Sequence, residues 1–211
     1  MVMVYELIVI GGGPAGYLGA ERAGQAGLKT LLIEKRALGG VCLNEGCIPS
    51  KTLLYSAKMY DNARYSEKYG VISKNVNFDH GRVIDRKNKT VKTLVAGIKA
   101  QLKKSNVDII EGIGEITGRS GEGYEVKVNK EGSNQVFIGK RLLVATGSMP
   151  VLPPIPGVKE GIEKGFVLTN REILDIKEVP ESLVIVGGGV VGLEMASYFN
   201  SAGSKVTIIE M

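Results

Sequence analysis

Cysteine occurs twice and histidine once in the 211 residues, and no apolar run approaches the ~20 residues that a membrane-crossing helix needs. Two cysteines are too few for the disulfide framework of a small secreted domain. The one histidine, His80, is remote in sequence from both cysteines, so no metal centre is expected. The opening Met1-Val2-Met3-Val4-Tyr5-Glu6 has no basic stretch leading into an apolar segment. The expected location is therefore the cytoplasm, with no membrane attachment. Charge of one sign is also in short supply: 27 basic residues against 22 acidic ones leave a formal +5. The two signs interleave, and the densest basic run, Arg82 to Lys104, reads as the wet face of a helix, so no nucleic-acid partner is expected.

Glycine is plentiful, with 29 residues, and two tight clusters of it stand out. Leu7-Ile8-Val9-Ile10-Gly11-Gly12-Gly13-Pro14-Ala15-Gly16 recurs as Leu183-Val184-Ile185-Val186-Gly187-Gly188-Gly189-Val190-Val191-Gly192, 176 positions later. The match continues without a gap through Gly27 and Gly203, Lys29 and Lys205, Glu34 and Glu210. Each copy reads as a buried strand, a glycine turn, a helix and a second strand, which is a βαβ unit.

The glycines have separate tasks. Gly11 and Gly187 make the tight turn, Gly13 and Gly189 let backbone approach a pyrophosphate, and Gly16 and Gly192 allow close packing of helix on strand. The phosphates then sit on the helix N-terminus, where free N–H groups and the helix dipole favour negative charge. Glu34 and Glu210 end the second strands, where a carboxylate accepts from a ribose hydroxyl. One such motif is weak evidence, but the whole series repeated implies two adenine dinucleotides, or one used twice. Glu210 favours NAD over NADP, because a carboxylate repels a 2′-phosphate.

Both cysteines fall in Gly39-Gly40-Val41-Cys42-Leu43-Asn44-Glu45-Gly46-Cys47-Ile48-Pro49-Ser50-Lys51, soon after Glu34. In a reducing compartment a close pair is catalytic or metal-binding more often than structural. Pro49 and the helical spacing from Ser50 to Met59 put Cys47 at or beside a helix N-terminus, where the dipole favours a thiolate. Lys51 adds a cation to that turn, unless it is an ordinary surface lysine with its head in water. A spacing of five is compatible with a pair that cycles between dithiol and disulfide. Nicotinamide does not usually react directly with a disulfide, so a flavin should couple the two, with FAD at the first copy and NAD at the second.

At these residues the chain resembles the flavin-dependent pyridine nucleotide–disulfide oxidoreductases, and Cys-Ile-Pro-Ser-Lys from Cys47 to Lys51 tilts the resemblance toward their dihydrolipoyl dehydrogenase branch. The resemblance implies that Cys42 is the interchange thiol meeting a dithiol substrate and that Cys47 contacts the flavin, with Lys51 near its ring. It implies FAD contacts at Glu34, Lys35, Gly40, Gly114 and the segment Ala145-Thr146-Gly147, and places Glu194 near the nicotinamide. The implied activity is oxidation of protein-bound dihydrolipoamide with NAD. The implied partners are the lipoyl domain of a 2-oxo acid dehydrogenase or glycine cleavage complex and, for a full-length protein, a second copy in a homodimer. Two alternatives are an NADPH-dependent disulfide reductase of the glutathione or mercuric type and a redox-inactive flavin-binding or interaction fragment.

The expected fold class is α/β: a Rossmann-like FAD-binding domain with a three-layer ββα/βαβ architecture over residues 1–148, then an incomplete second Rossmann-like NAD-binding unit over 149–211. A small antiparallel meander is expected from Tyr124-Val128 and Gln135-Ile138, one long interrupted helix between Asp79 and Asn106, and a hinge in the proline-rich stretch from Met149 to Gly157. Family members are more than twice this long, so the chain is expected to be a truncated form lacking the family's His–Glu proton acceptor. His80 does not match that histidine and reads as a surface or helix-start residue.

Overall fold

The computed structural model describes residues 3–130 and 132–210. In chain order its elements are β1 (Met3–Tyr5), β2 (Leu7–Ile10), α1 (Pro14–Gln25), β3 (Thr30–Glu34), α2 (Gly40–Glu45), α3 (Cys47–Arg64), α4 (His80–Lys104), β4 (Val107–Glu111), β5 (Ile113–Ser120), β6 (Gly123–Lys130), β7 (Ser133–Gly139), β8 (Leu142–Val144), α5 (Val158–Glu163), β9 (Ser182–Val186), α6 (Val190–Ala202) and β10 (Lys205–Ile209). They form two compact units, one from residues 1–44 and 92–149, the other from 45–91 and 150–211. Both units are discontinuous, whereas the expected division at 148/149 runs straight along the chain. Residues 45–91 group with the second unit, and one cut falls between Met149 and Pro150, inside the proline-rich stretch.

The first unit has three layers. A parallel sheet in the order β4-β3-β2-β8 lies at its centre, and a second sheet, β1-β7-β6-β5, covers one face. In that second sheet β1 runs parallel to β7, while β5, β6 and β7 form the antiparallel meander. The strand β5 completes a meander for which only two strands were expected. The central strands read as unbroken apolar runs because both faces are buried. Ile8, Ile10, Leu31 and Ile33 point to Tyr5, Val126, Val128 and Phe137 of the outer sheet. Val9 and Leu32, one residue out of phase, face Ala20 of α1 and Leu102 of α4.

Tyr5 joins the layers by polarity as well as packing. Only 2% exposed, it donates its hydroxyl to Asp108 Oδ2 at 3.0 Å. Burial first, and Asp108 second, push the phenol up to about 12. A raised folded value means that this stabilisation is complete below the ordinary tyrosine range, near 10, and is lost as pH climbs through 12. Tyr5→Phe is expected to cost about 1 kcal/mol at neutral pH through the lost hydrogen bond, and to flatten the fall in Tm across that alkaline window. An alkaline slope identical to that of the parent protein would sink this account.

In the second unit β9 and β10 form a two-stranded parallel sheet. Leu183, Ile185 and Val206 face a core made by Leu53 and Ala57 of α3, Ile173 and Leu174, and Met195, Tyr198 and Phe199 of α6. The opposite face is bare: Val184 and Val186 are 60% and 63% exposed. A single helix would be too little cover for such a sheet, and α3 supplies the rest by packing against α6.

Two expectations are corrected here. The helix α4 is continuous over 25 residues, not interrupted. A Cβ on Gly97 would meet nothing within 4 Å, so that residue is simply exposed helix. His80 does start the helix, but it is buried, not on the surface. Its Nδ1 lies 2.8 Å from the Tyr198 hydroxyl and its Nε2 lies 3.0 Å from the Ile176 carbonyl. A carbonyl only accepts, so Nε2 carries the proton and, in the neutral ring, Nδ1 accepts from Tyr198. Burial raises the tyrosine above its ordinary range, which keeps it a donor.

Among the described residues no helix is long and apolar enough to cross a membrane, and no group of His, Cys, Asp and Glu side chains could hold a metal ion.

Candidate functional site

The two glycine turns share their backbone conformation at the first and third of their consecutive glycines. Gly11 has φ 106° and Gly187 has φ 105°, in the left-handed range that favours glycine. Each donates its N–H back across the turn, to Ile33 O and to Ile209 O, both at 2.8 Å. Gly13 and Gly189 occupy the cap position of α1 and α6 with extended backbone at φ −72° and −70°. Neither cap makes a side-chain hydrogen bond, and neither helix has an acid in its first turn. Both N-termini thus present backbone N–H groups to an anion, with no acid in the helix's own first turn to compete for them.

The carboxylates at the strand ends turn back onto these loops. Glu34 Oε2 accepts from Gly12 N at 2.6 Å and Oε1 from Arg36 N at 2.8 Å. Glu210 accepts from Gly188 N in the equivalent bond. Each oxygen keeps lone-pair capacity for a ribose hydroxyl. The chain therefore fits a dinucleotide at both places: a cradle without Cβ atoms, free helix N–H groups and an acid fixed beside them.

Around the first turn the structure collects most of the residues singled out in the sequence. A Cβ on Gly11 would run into the carbonyl of Ala145, and Thr146 Cα lies 3.2 Å from the same point. Ala145 N donates to Ile10 O at 2.8 Å, continuing the line of β8. A Cβ on Gly40 would come within 2.7 Å of Gly13 Cα, so the two backbones cross with nothing between them. Gly114 packs on Ile10 and Ile33, at 3.3 Å and 3.4 Å from its Cβ position. All of these lie at the carboxyl ends of β2 and β3, where the strand order turns from β3 on one side of β2 to β8 on the other. That crevice is the usual ligand position in an open α/β sheet. Lys35 and Gly147 are exposed, the latter with φ 74°.

The loop bearing Cys42 is stapled to this turn. Gly39 N donates to Gly12 O at 2.8 Å, and Asn44 Nδ2 donates to Leu38 O at 3.0 Å and Gly40 O at 2.9 Å. Cys42 lies half-buried on α2.

Cys47, exposed, is the first residue of α3, whose cap Gly46 makes no side-chain hydrogen bond. The sequence-based placement at a helix start holds. The two cysteines are not disulfide-bonded in this structure. Within the second unit, Lys51 Nζ lies 3.8 Å from Glu194 Oε1 near the start of α3 and α6, while Ser201 donates to Asp61 at 2.6 Å near their ends. The two helices therefore run parallel, and the thiol at the start of α3 shares an end of the unit with the glycine turn Gly187–Gly189. Lys51 is 69% exposed, so its pair with Glu194 adds little stability and matters for placement.

Sequence reasoning missed Glu45, Asn170 and Arg171. Arg171 Nε approaches Glu45 Oε2 to 2.7 Å, and Asn170 Nδ2 donates to the Glu45 carbonyl at 2.9 Å. A partial signal was available, since Thr169-x-x-Glu172 has the spacing of a capping box, and Thr169 N does donate to Glu172 at 2.7 Å.

The family described as "Pyridine nucleotide-disulphide oxidoreductase" matches residues 5–211. A dihydrolipoyl dehydrogenase of Acholeplasma laidlawii is 50% identical over 208 residues, covering 98% of this chain and 60% of that protein. One from Bacillus subtilis (strain 168) is 42% identical, covering 100% of this chain and 44% of its own. Among solved structures, the Cu(II) complex of the HOCl-induced flavoprotein disulfide reductase RclA from Escherichia coli matches with a TM-score of 0.81 at 33% identity, over 100% of this chain and 43% of that one. The chain spans about half the length of the curated relatives it matches.

Proposed function

The chain belongs to the pyridine nucleotide–disulphide oxidoreductase family, and from that premise we propose that it is the FAD-binding and disulfide-bearing part of a dihydrolipoyl dehydrogenase, oxidising protein-bound dihydrolipoamide with NAD as acceptor. In this reading residues 1–148 carry the FAD site and 149–211 begin the NAD site. The partners are the lipoyl domain of a 2-oxo acid dehydrogenase or glycine cleavage complex and a second full-length subunit, and the setting is the reducing cytoplasm.

The observation that carries the reading is the recurrence of the glycine turn, its backbone hydrogen bond and its acid, 176 positions apart, with two cysteines between the copies. When bound, FAD supplies two-electron transfer between thiols and nicotinamide. The chain's own residues do the rest. A substrate thiolate attacks Cys42 Sγ and breaks the Cys42–Cys47 bond, with Cys47 Sγ at the start of α3 as the leaving group. The second substrate sulfur then displaces Cys42, releasing the oxidised substrate. Gly11, Gly13, Gly16 and Gly40 admit the first dinucleotide's pyrophosphate with Glu34 on its ribose, and Gly187, Gly189, Gly192 and Glu210 serve the second.

The test is the visible spectrum of the purified chain after reconstitution with FAD, before and after anaerobic dihydrolipoamide. Flavin bands with a new long-wavelength shoulder are expected. A chain that stays colourless, or a flavin blind to the dithiol, overturns the assignment. The likeness to a disulfide reductase keeps a second reading in play, in which NADPH drives reduction of a disulfide. Glu210 opposes it, since its carboxylate stands where the 2′-phosphate would bind, and titration of the chain with NADH and NADPH separates the two.

A further inference from the structure

From Arg86 to Val107 the chain has seven basic residues and no acid. Four of the seven, Lys92, Lys99, Lys103 and Lys104, lie on the part of α4 that belongs to the first unit, and all four are exposed. Among the described residues no acid lies within ion-pair distance of any of them. At about 100° per residue, Lys92, Lys99 and Lys103 fall within about 40° of arc, a straight row about 16 Å long. Like charges four apart on a helix, as Lys99 and Lys103 are, weaken it. Lys103 and Lys104 have a local compensation in the negative end of the helix dipole, because they stand in the last turn. Lys92 and Lys99 are too far up the helix to share it.

The opposite side of α4 is taken by the core, through Val95, Ile98 and Leu102. Beside the lysine row the outward side is low: Ala96, Gly97 and Ala100 are all exposed. A Cβ on Gly97 would meet nothing within 4 Å, so no contact among the described residues calls for a glycine in mid-helix, where it costs stability. On the far border Gln101 donates to Glu21 Oε1 of α1 at 2.9 Å, and Gln25 donates to the same oxygen at 2.8 Å. The face is thus polarised across its width, with lysines along one border and a carboxylate along the other.

We propose that this face of α4 docks a helix of another protein, its acids against Lys92, Lys99 and Lys103 and its apolar side laid on Ala96, Gly97 and Ala100. With small side chains at the contact, two helix axes approach closely. A nucleic acid suits the face less. Its charge is uniform, so Glu21 opposes it, and the row offers no arginine for bidentate phosphate contacts and the face no aromatic ring for a base. The surface is separate from the dinucleotide site: α4 leads into the amino end of β4, whereas the glycine turn stands at the carboxyl ends of the strands.

The probe is a fluorescein-labelled, alanine-based peptide of about 18 residues, long enough to hold a helix, with glutamates along one border at the spacing of the three lysines and a lysine on the other border. Its comparators are a peptide of the same composition with the charges scattered around the helix, and a short DNA duplex. Fluorescence anisotropy against the full chain reads the affinity at low and at physiological salt. The designed helix is expected to bind more tightly than either comparator and to weaken as salt rises. Lys99→Glu with Lys103→Glu should weaken it about tenfold or more, by turning attraction into repulsion. Gly97→Leu keeps every charge and puts a better helix former at an exposed position, so Tm should hold or rise. Its side chain lifts the probe off the face and should weaken binding about tenfold.

Thermal melts report the fold of each variant, and Gly97→Leu decides alone if the charge reversal does not fold. A designed helix that does not bind, a scattered-charge peptide or a duplex that binds as tightly, or an unchanged affinity in either variant would each overturn the proposal. None of these results touches the reading of the glycine turns or of the cysteines.

Discussion

Cys47→Ser is expected to abolish dithiol-driven reduction of bound flavin, a loss of at least roughly 10³-fold, while leaving flavin binding intact. A serine oxygen forms no exchangeable bond with sulfur, and its hydroxyl does not ionise near neutral pH. Flavin retention should survive, because the glycine turn, Glu34 and the Ala145 backing all belong to the first unit, whereas Cys47 belongs to the second. Cys42→Ser provides the contrast. It should also lose turnover, but on the proposed roles it keeps the sulfur assigned to the flavin and hence a long-wavelength absorbance, now without added dithiol. Anaerobic spectra of the two variants check this, and dithiol-dependent bleaching in Cys47→Ser would contradict the assignment of roles.

The second large effect concerns the third glycine of each turn. A Cβ on Gly16 would fall onto the Gly11 carbonyl oxygen, far inside van der Waals contact, and both atoms belong to backbone that cannot swing aside. Gly16→Ala must therefore push α1 off β2, at a cost of about 3 kcal/mol or more, or some 10 °C in Tm, and with it the FAD site. At Gly192 the same Cβ stands 2.5 Å from the Gly187 oxygen, and Ile185 Cγ2 is next at 3.1 Å. Gly192→Ala should be milder and should weaken NAD while sparing flavin. Calorimetry and flavin content measure both. Equal losses of flavin in the two variants would mean that the turns do not serve separate ligands.

Much of this was readable from one sequence because a repeat tests itself. The offset that aligns Gly11 with Gly187 and Glu34 with Glu210 also aligns their dihedrals and hydrogen bonds. Cys47 was placed correctly because Pro49 and the spacing after it are local signals. What escaped was set by distant partners. Nothing near His80 announces that Tyr198 will bury it, and nothing near Glu45 announces Arg171. The outer strand β5 escaped because its exposed positions break the alternation that marked β6. An interruption was expected in α4, which is continuous. An apolar stripe of Val95, Ile98 and Leu102 packs with the core of the central sheet and holds the helix together there.

The discontinuous make-up of the second unit has a consequence for how the chain is made. Its core joins Leu53 and Ala57 to Tyr198 and Phe199, so α3 leaves the ribosome well before its cover exists. At ordinary elongation speeds the wait is on the order of ten seconds. The first unit is complete once Met149 has emerged, and it can fold during that interval. The apolar side of α3 stays bare through it, a natural foothold for a chaperone on the nascent chain and the point at which an overproduced protein would begin to aggregate.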